Sequence, residues 1–441
     1  MPIALLSSDP LASTLVLLVM LWLAAKLGGE AAIRLKLPAV AGQIAAGVLL
    51  AALPRIFGWF PVVDERGPAG VMEYIGGASA PADVLAFIES MRAPSEVLAY
   101  IGIVLLMFMV GLESSVPQMM KVGWASMRVA IVGVVGPMVL GLASAYFILH
   151  DSTFVVYLFI GACLCATSIG ISVSVLRERN AADTQAGRVV IGAAVIDDVL
   201  GLLVLAAVSG IATASVGTGG INWVDLGSTL AFAFIFLTLA LTAGRWLSPK
   251  LFAAVARLKG EEVMLPFAVA FAFFLAWLGY YFAGLATIVG AYSAGLILEH
   301  SHVDQLQKRE GKSLEDMVKP IVAILAPLFF VLTGASVDTS ALLEPRTLAL
   351  AGVLTATGII GKYISGYVAG RGLSTPVIGW GMVPRGEVGL IFVAVGRSIN
   401  INGLPLINAQ VQAGVLGAIL MTTIIGPIGL SWVLGRTKEV K

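Results

Sequence analysis

Two adjacent aspartates, Asp197 and Asp198, interrupt the apolar run VVIGAAVIDDVLGLLVLAAV. A carboxylate at bilayer depth costs about 2.5–3.5 kcal/mol on insertion scales, so such residues face a cavity and mark an ion or proton path. Helical neighbours differ in direction by about 100°, so the pair cannot face one cavity equally. One carboxylate can line an ion path while the other meets a fixed partner. The obvious partner is Lys362, inside LTATGIIGKYISGYVAG, because a buried lysine needs a carboxylate to stay charged. The carboxylate left over can exchange a proton for a cation. A purely structural charge cluster is the bland alternative.

Two other segments carry polar groups where the helix is easily interrupted. LCATSIGISVSVL sets Thr167, Ser168 and Gly170 within an apolar stretch, and GWGMVPRGEVGLIF sets Pro384, Gly386 and Gly389 around Arg385 and Glu387. Broken backbone within a membrane is tolerated where it lines a cavity, and its freed carbonyls and half-helix ends can balance ions. Thr167 and Ser168 read equally well as close-packing residues. Arg385 and Glu387, two apart, read as neutralising each other and bracing the core. Glu113, ending LLMFMVGLE, reads as a structural charge near the inner boundary more readily than as a cation contact. Cys163 and Cys165 lie two apart on one helix, point in different directions and read as packing residues. His300 and His302 read as part of a solvated loop before they read as a metal site.

The elements that hold these residues are long apolar runs. Hydrophobic residues make up 59% of the 441 and charged residues only 12%, against about 25% charged in soluble domains. A net charge of +1 implies no nucleic acid or other polyanion as partner. Thirteen spans are predicted, at about 11–28, 38–54, 96–113, 123–149, 153–177, 185–210, 223–247, 262–283, 285–300, 318–336, 345–371, 374–398 and 407–435. With the N-terminus outside and the C-terminus inside, 20 of the 27 Lys and Arg fall inside and 5 outside, leaving Lys362 and Arg385 for the membrane interior. The fold class is therefore all-α and polytopic, in a lipid bilayer. The first run reads as a retained helix rather than a signal peptide. The loop at about 55–94 reads as a solvated connector, although 82–92 has the pattern of a short surface helix. Taking spans two to six and nine to thirteen as five-helix repeats, the interrupted spans are fourth in each, and the repeats start on opposite sides. That is the inverted-repeat pattern, with two broken helices meeting at the midplane.

Seven segments in order carry a family resemblance: LPAVAGQIAAGVLL, GIVLLMFMVGLE, CATSIGISVSVLRE, VIDDVLGLLVL, PLFFVLTGASVD, GKYISGY and GMVPRGEVGLIF. Together they resemble the bacterial monovalent cation:proton antiporters of the NapA and Kef type, along almost the whole chain. The resemblance implies a core (about 123–210 and 345–435) that slides in an elevator motion against a dimerisation scaffold (about 11–113 and 262–336). Residues 223–247 form the linker helix. It implies Asp198 as shared carrier of proton and Na+, with the metal ion bound there only transiently as substrate, and Asp197 as partner of Lys362. Two acids with this lysine imply electrogenic sodium/proton exchange, in a homodimer, in the bacterial inner membrane. Some relatives carry an acid in the first break, where this chain has Thr167 and Ser168. The regulatory domain of Kef-type systems is not expected after residue 435.

The function expected is thus antiport of Na+, and of Li+, for protons, with potassium/proton exchange on the same fold as the alternative. No cofactor is implied, and the chain is not expected to be an enzyme. An intramembrane aspartyl protease would need its two aspartates on separate helices. A sensor built on this scaffold would need an output domain.

Overall fold

In a computed structural model of the chain, the described residues are 10–438, apart from 36, 58–81, 114–122, 151, 215–222, 256, 259–262, 284, 299–310, 338–340, 342–343 and 402–403. Most of the connector at 55–94 and both His300 and His302 therefore lie outside the described residues. The rest is helical except for one two-residue β-hairpin. Eight helices are long and apolar enough to cross a membrane among the described residues, and four shorter ones are apolar. Side chains such as Leu15, Val19 and Leu23, at helical spacing, are exposed, which suits a face in contact with lipid tails.

The chain divides into two compact units. The first comprises residues up to Met109 and Lys312–Ser340. It holds α1 (Pro10–Arg34), α2 (Ala39–Phe57), most of α3 (Ala82–Glu113) and α11 (Leu314–Ala335). Here α2 packs on both α1 and α11. α3 begins at Ala82, earlier than the span predicted from 96, and runs unbroken through Pro94. The pattern at 82–92 is thus the start of this helix rather than a separate surface helix.

The second unit comprises Val110–Gly311 and Ala341–Lys441. In order it contains α4 (Trp124–Ile148), α5 (Phe154–Cys163), α6 (Ile169–Glu178), α7 (Gln185–Ala214), α8 (Trp223–Val255), α9 (Met264–Ala283) and α10 (Thr287–Ile297). It continues with α12 (Pro345–Ile364), α13 (Thr375–Met382), α14 (Glu387–Ser398), the hairpin of β1 (Asn400–Ile401) and β2 (Leu404–Pro405), and α15 (Ala409–Lys438). The predicted spans 153–177 and 374–398 are each two helices with a gap between them. The first gap, Leu164–Ser168, includes the centre of its predicted span together with Thr167 and Ser168, whereas Gly170 lies inside α6. The second, Val383–Gly386, contains the proline and the glycine that interrupt the ladder.

α4 lies against α5, α7 and α12, and α12 lies against α15. Glycines set how closely α4 and α12 approach: a Cβ on Gly361 would stand 2.6 Å from the backbone nitrogen of Pro137, and one on Gly136 would stand 2.8 Å from the carbonyl of Gly361. Small residues let membrane helices meet backbone to backbone. This contact brings Lys362, the next residue on α12, into the interior.

Candidate functional site

Asp197 lies at mid-length in α7 and Lys362 near the end of α12, and both are fully buried. The Lys362 ammonium donates to both carboxylate oxygens of Asp197, at 2.8 and 3.0 Å. Gly133 of α4 completes the walls: a Cβ there would lie 3.6 Å from Asp197 Oδ1 and 3.8 Å from Lys362 Nζ. A buried ion pair holds only when its geometry offsets the loss of hydration, and the two-oxygen contact meets that condition. Asp198 is also buried, at 6% exposure. A Cβ on Gly201, three residues on and so on a neighbouring face, would stand 4.0 Å from the Ala166 Cβ. Asp198 therefore lies in the stretch of α7 that passes the first helix break.

The two breaks lie against each other and share their hydrogen bonds. The Ser168 amide donates to the Pro384 carbonyl at 2.8 Å. Thr167 Oγ1 donates to the Met382 carbonyl at 3.0 Å, and Ser172 Oγ donates to the Gly381 carbonyl at 2.6 Å. Both acceptors are at the C-terminal end of α13, where a helix leaves carbonyls unanswered. In the opposite direction, Arg385 reaches the C-terminal end of α5. Its Nε and Nη2 donate to the Leu164 carbonyl at 3.3 and 2.8 Å, and Nη2 also donates to the Gly358 carbonyl at 3.2 Å. Gly358 leaves the room this needs, since a Cβ there would stand 2.9 Å from Nη2. Thr423 Oγ1 of α15 donates to the Arg385 carbonyl.

Of the residues singled out in the sequence, the structure thus gathers Asp197, Asp198, Lys362, Thr167, Ser168 and Arg385 in one unit. Arg385 rests on backbone carbonyls of α5 and α12. Glu387 opens α14, and its side chain lies outside the described residues. Glu113 is the exposed last residue of α3. Sequence reasoning passed over Ser172, Thr423, Gly133 and Gly358. A signal existed for Thr423, one of two adjacent threonines inside the apolar AILMTTIIG, and for Ser172, in the polar-apolar alternation after the first break. The acceptor carbonyls of Leu164 and Gly358 leave no trace in residue identity.

A carboxylate–ammonium pair buried beside a second carboxylate and two abutting helix breaks suits ion translocation. The matching family model, sodium/hydrogen exchanger, transmembrane, spans residues 14–436. The chain belongs to the sodium/hydrogen exchanger family. Like the family, it is a multi-pass membrane transporter for cation/proton antiport and not an enzyme. It is 33% identical over 443 residues to the high-affinity Na(+)/H(+) antiporter NhaS3 of Synechocystis sp., covering 97% of this chain and 91% of that one. It is 29% identical over 434 residues to the Na(+)/H(+)-K(+) antiporter GerN of Bacillus cereus, covering 96% and 97%. The fold matches that of the sodium proton antiporter MjNhaP1 from Methanocaldococcus jannaschii with a TM-score of 0.66 at 16% identity, over 97% of this chain and 98% of that one.

Proposed function

We propose that this exchanger is a secondary antiporter that moves Na+, and also Li+, against protons, with Asp198 as the shared carrier. The observation that carries this reading is the fully buried Asp197–Lys362 pair at 2.8 Å, whose aspartate adjoins Asp198 on α7, in the same unit as two joined helix breaks. Lys362 engages Asp197, and the buried neighbouring carboxylate, Asp198, is the one assigned to alternate between ligands. Proton and sodium compete for it, and either neutralises it. A neutral carboxylate lowers the cost of crossing the apolar barrier, so an empty core is held back and leak is suppressed. Oxygen ligands suit a hard alkali cation, and Thr167, Ser168 and break carbonyls supplement Asp198.

The rest of the reading builds on the family. The chain forms thirteen spans, N-out and C-in, as two inverted five-helix repeats. A core of about 123–210 and 345–435 moves as an elevator against a scaffold of about 11–113 and 262–336, joined by 223–247, in a homodimer of the bacterial inner membrane. Lys362 releases a proton when sodium loosens its pairing with Asp197, which makes exchange electrogenic. The similar GerN is a Na(+)/H(+)-K(+) antiporter, which favours potassium/proton exchange as the second reading.

The test is flux in proteoliposomes with sodium, lithium and potassium, with and without a clamped membrane potential. Asp198→Asn abolishes sodium-dependent proton flux while leaving the folded protein intact; flux like that of the parent sinks the carrier assignment. Flux that ignores the potential rejects electrogenic exchange, and a preference for potassium selects the second reading.

A further inference from the structure

Two fully buried cations lie in the second unit among the described residues, Lys362 and Arg385. Lys362 meets the Asp197 carboxylate, whereas the Arg385 side chain donates to backbone carbonyls. Its Nη1 has no hydrogen-bond partner among the described residues. A buried charged donor left unmade is costly, so filling space in the core does not by itself account for a guanidinium here.

The carbonyls it holds have a direct bearing on the ion pair. Gly358 lies one turn before Lys362 on the buried face of α12, and in an α-helix its carbonyl is the acceptor for the Lys362 amide. Arg385 Nη2 donates to that same carbonyl at 3.2 Å. Nη2 and Nε also hold the Leu164 carbonyl, at the end of α5, at 2.8 and 3.3 Å. One planar fork thus ties the turn that carries Lys362 to the first helix break. Arg385 is itself fixed, because the Ser168 amide holds the Pro384 carbonyl and Thr423 Oγ1 holds the carbonyl of Arg385. The fit at Gly358 leaves no slack: a Cβ there would stand 2.9 Å from Nη2, 3.0 Å from Nη1 and 3.2 Å from Cζ.

On the carrier reading of Asp198, we infer that Arg385 is a positioning residue for cation exchange. Through the Gly358 carbonyl it sets where the Lys362 ammonium stands, keeps Asp197 engaged, and so leaves the incoming cation one carboxylate instead of two. A cation that meets two carboxylates is held more tightly, since affinity rises with the charge of the ligand set, and it is released more slowly.

The experiment uses the full chain in proteoliposomes and compares apparent sodium KM with kcat. Arg385→Lys keeps the charge and removes the fork, because a lysine Nζ reaches only as far as the arginine Cζ and has no second donor group. Gly358→Ala keeps Arg385 and drives a methyl into its guanidinium. Each variant lowers KM about threefold or more and lowers kcat, as Asp197 joins the ligand set. In a Lys362→Met background no ammonium is left to place. There, Arg385→Lys keeps sodium affinity, read as sodium-dependent thermal stabilisation, within about twofold of Lys362→Met alone. A brace that serves the fold only would lower the amount of active protein, and hence kcat, with KM unmoved. A KM at or above the parent's in either variant that folds overturns the placement role, and so does a shift that persists in full without the lysine. Asp198→Asn tells this failure from that of the carrier reading. Sodium-dependent flux that survives Asp198→Asn sinks the carrier and the placement role with it. Flux lost on Asp198→Asn, together with a parental KM in Arg385→Lys and Gly358→Ala, sinks the placement role alone.

Discussion

Removing one member of the Asp197–Lys362 pair should destabilise the protein far more than removing both. The two side chains are fully buried, with contacts of 2.8 and 3.0 Å. At an effective dielectric constant of about 20, charges at that distance attract by about 6 kcal/mol. Several kcal/mol per ion are lost on leaving water, so the intact pair contributes little net stability. Lys362→Met keeps the cost of burying Asp197 and deletes the attraction, which places the loss at about 3–5 kcal/mol. The double variant Asp197→Leu with Lys362→Met deletes both the cost and the attraction. It should recover at least about 2 kcal/mol of the single variant's loss, roughly a thirtyfold gain in the folded-to-unfolded ratio. The assay is equilibrium unfolding in mixed detergent micelles, followed by tryptophan fluorescence at a fixed detergent ratio. A single variant that costs less than about 1 kcal/mol would refute the buried-pair reasoning. So would a double variant no more stable than the single.

Two other outcomes test the frame around that pair. Gly361→Ala forces a Cβ to within 2.6 Å of the Pro137 backbone nitrogen, so α4 and α12 must part; it should cost about 1–3 kcal/mol in the same assay, and parental stability would show the contact to be soft. If proton and sodium share Asp198, apparent sodium affinity should weaken as pH falls, by up to about tenfold per unit once protons dominate; an affinity that stays constant from about pH 8.5 to about pH 6 rejects competition at one carboxylate.

The parts of this architecture that were legible in the sequence are those with an energetic signature in residue type. A lysine in an apolar helix has few ways to stay charged, so the search for its carboxylate ends quickly at the aspartates. Proline and glycine near Arg385 marked one interruption within a residue or two. The other was harder to place, because the ladder ends at Cys163 and nothing between Leu164 and Ser168 forbids a helix; tertiary hydrogen bonds to the second break open it. The same limit explains Arg385. Spacing points to its neighbour Glu387, whose side chain lies outside the described residues, and the carbonyls that accept from Arg385 belong to residues 221 and 27 positions away. Backbone acceptors carry no mark in sequence. Helix ends moved for a related reason: α1 continues through Gly28 and Gly29 to Arg34, since packing on α2 outweighs the local cost of glycine.

The charges around the two breaks close into a simple sum that bears on transport. By formal charge, Lys362 and Arg385 oppose Asp197, Asp198 and Glu387, so the empty site carries one negative charge; one proton brings it to zero, as does one Na+ while Lys362 keeps its own proton. The helix ends do not upset this count, because the C-terminal carbonyls of α5 accept from Arg385 and those of α13 from Thr167 and Ser172. On the proposed elevator reading, a core so loaded is neutral and an unloaded one is charged, which is the condition for moving only when occupied. Glu387→Gln shifts both states by one unit: the empty core becomes neutral and the loaded core positive. Exchange should therefore slow while leak in the absence of sodium rises, because a charge at bilayer depth costs about 2.5–3.5 kcal/mol, equivalent to a hundredfold or so in rate. The measurement is turnover against apparent sodium affinity in proteoliposomes, together with proton leak without sodium. A variant that loses sodium affinity and turnover in equal proportion, with leak unchanged, would show that Glu387 acts as a ligand or a brace and that the sum of charges does not govern the crossing.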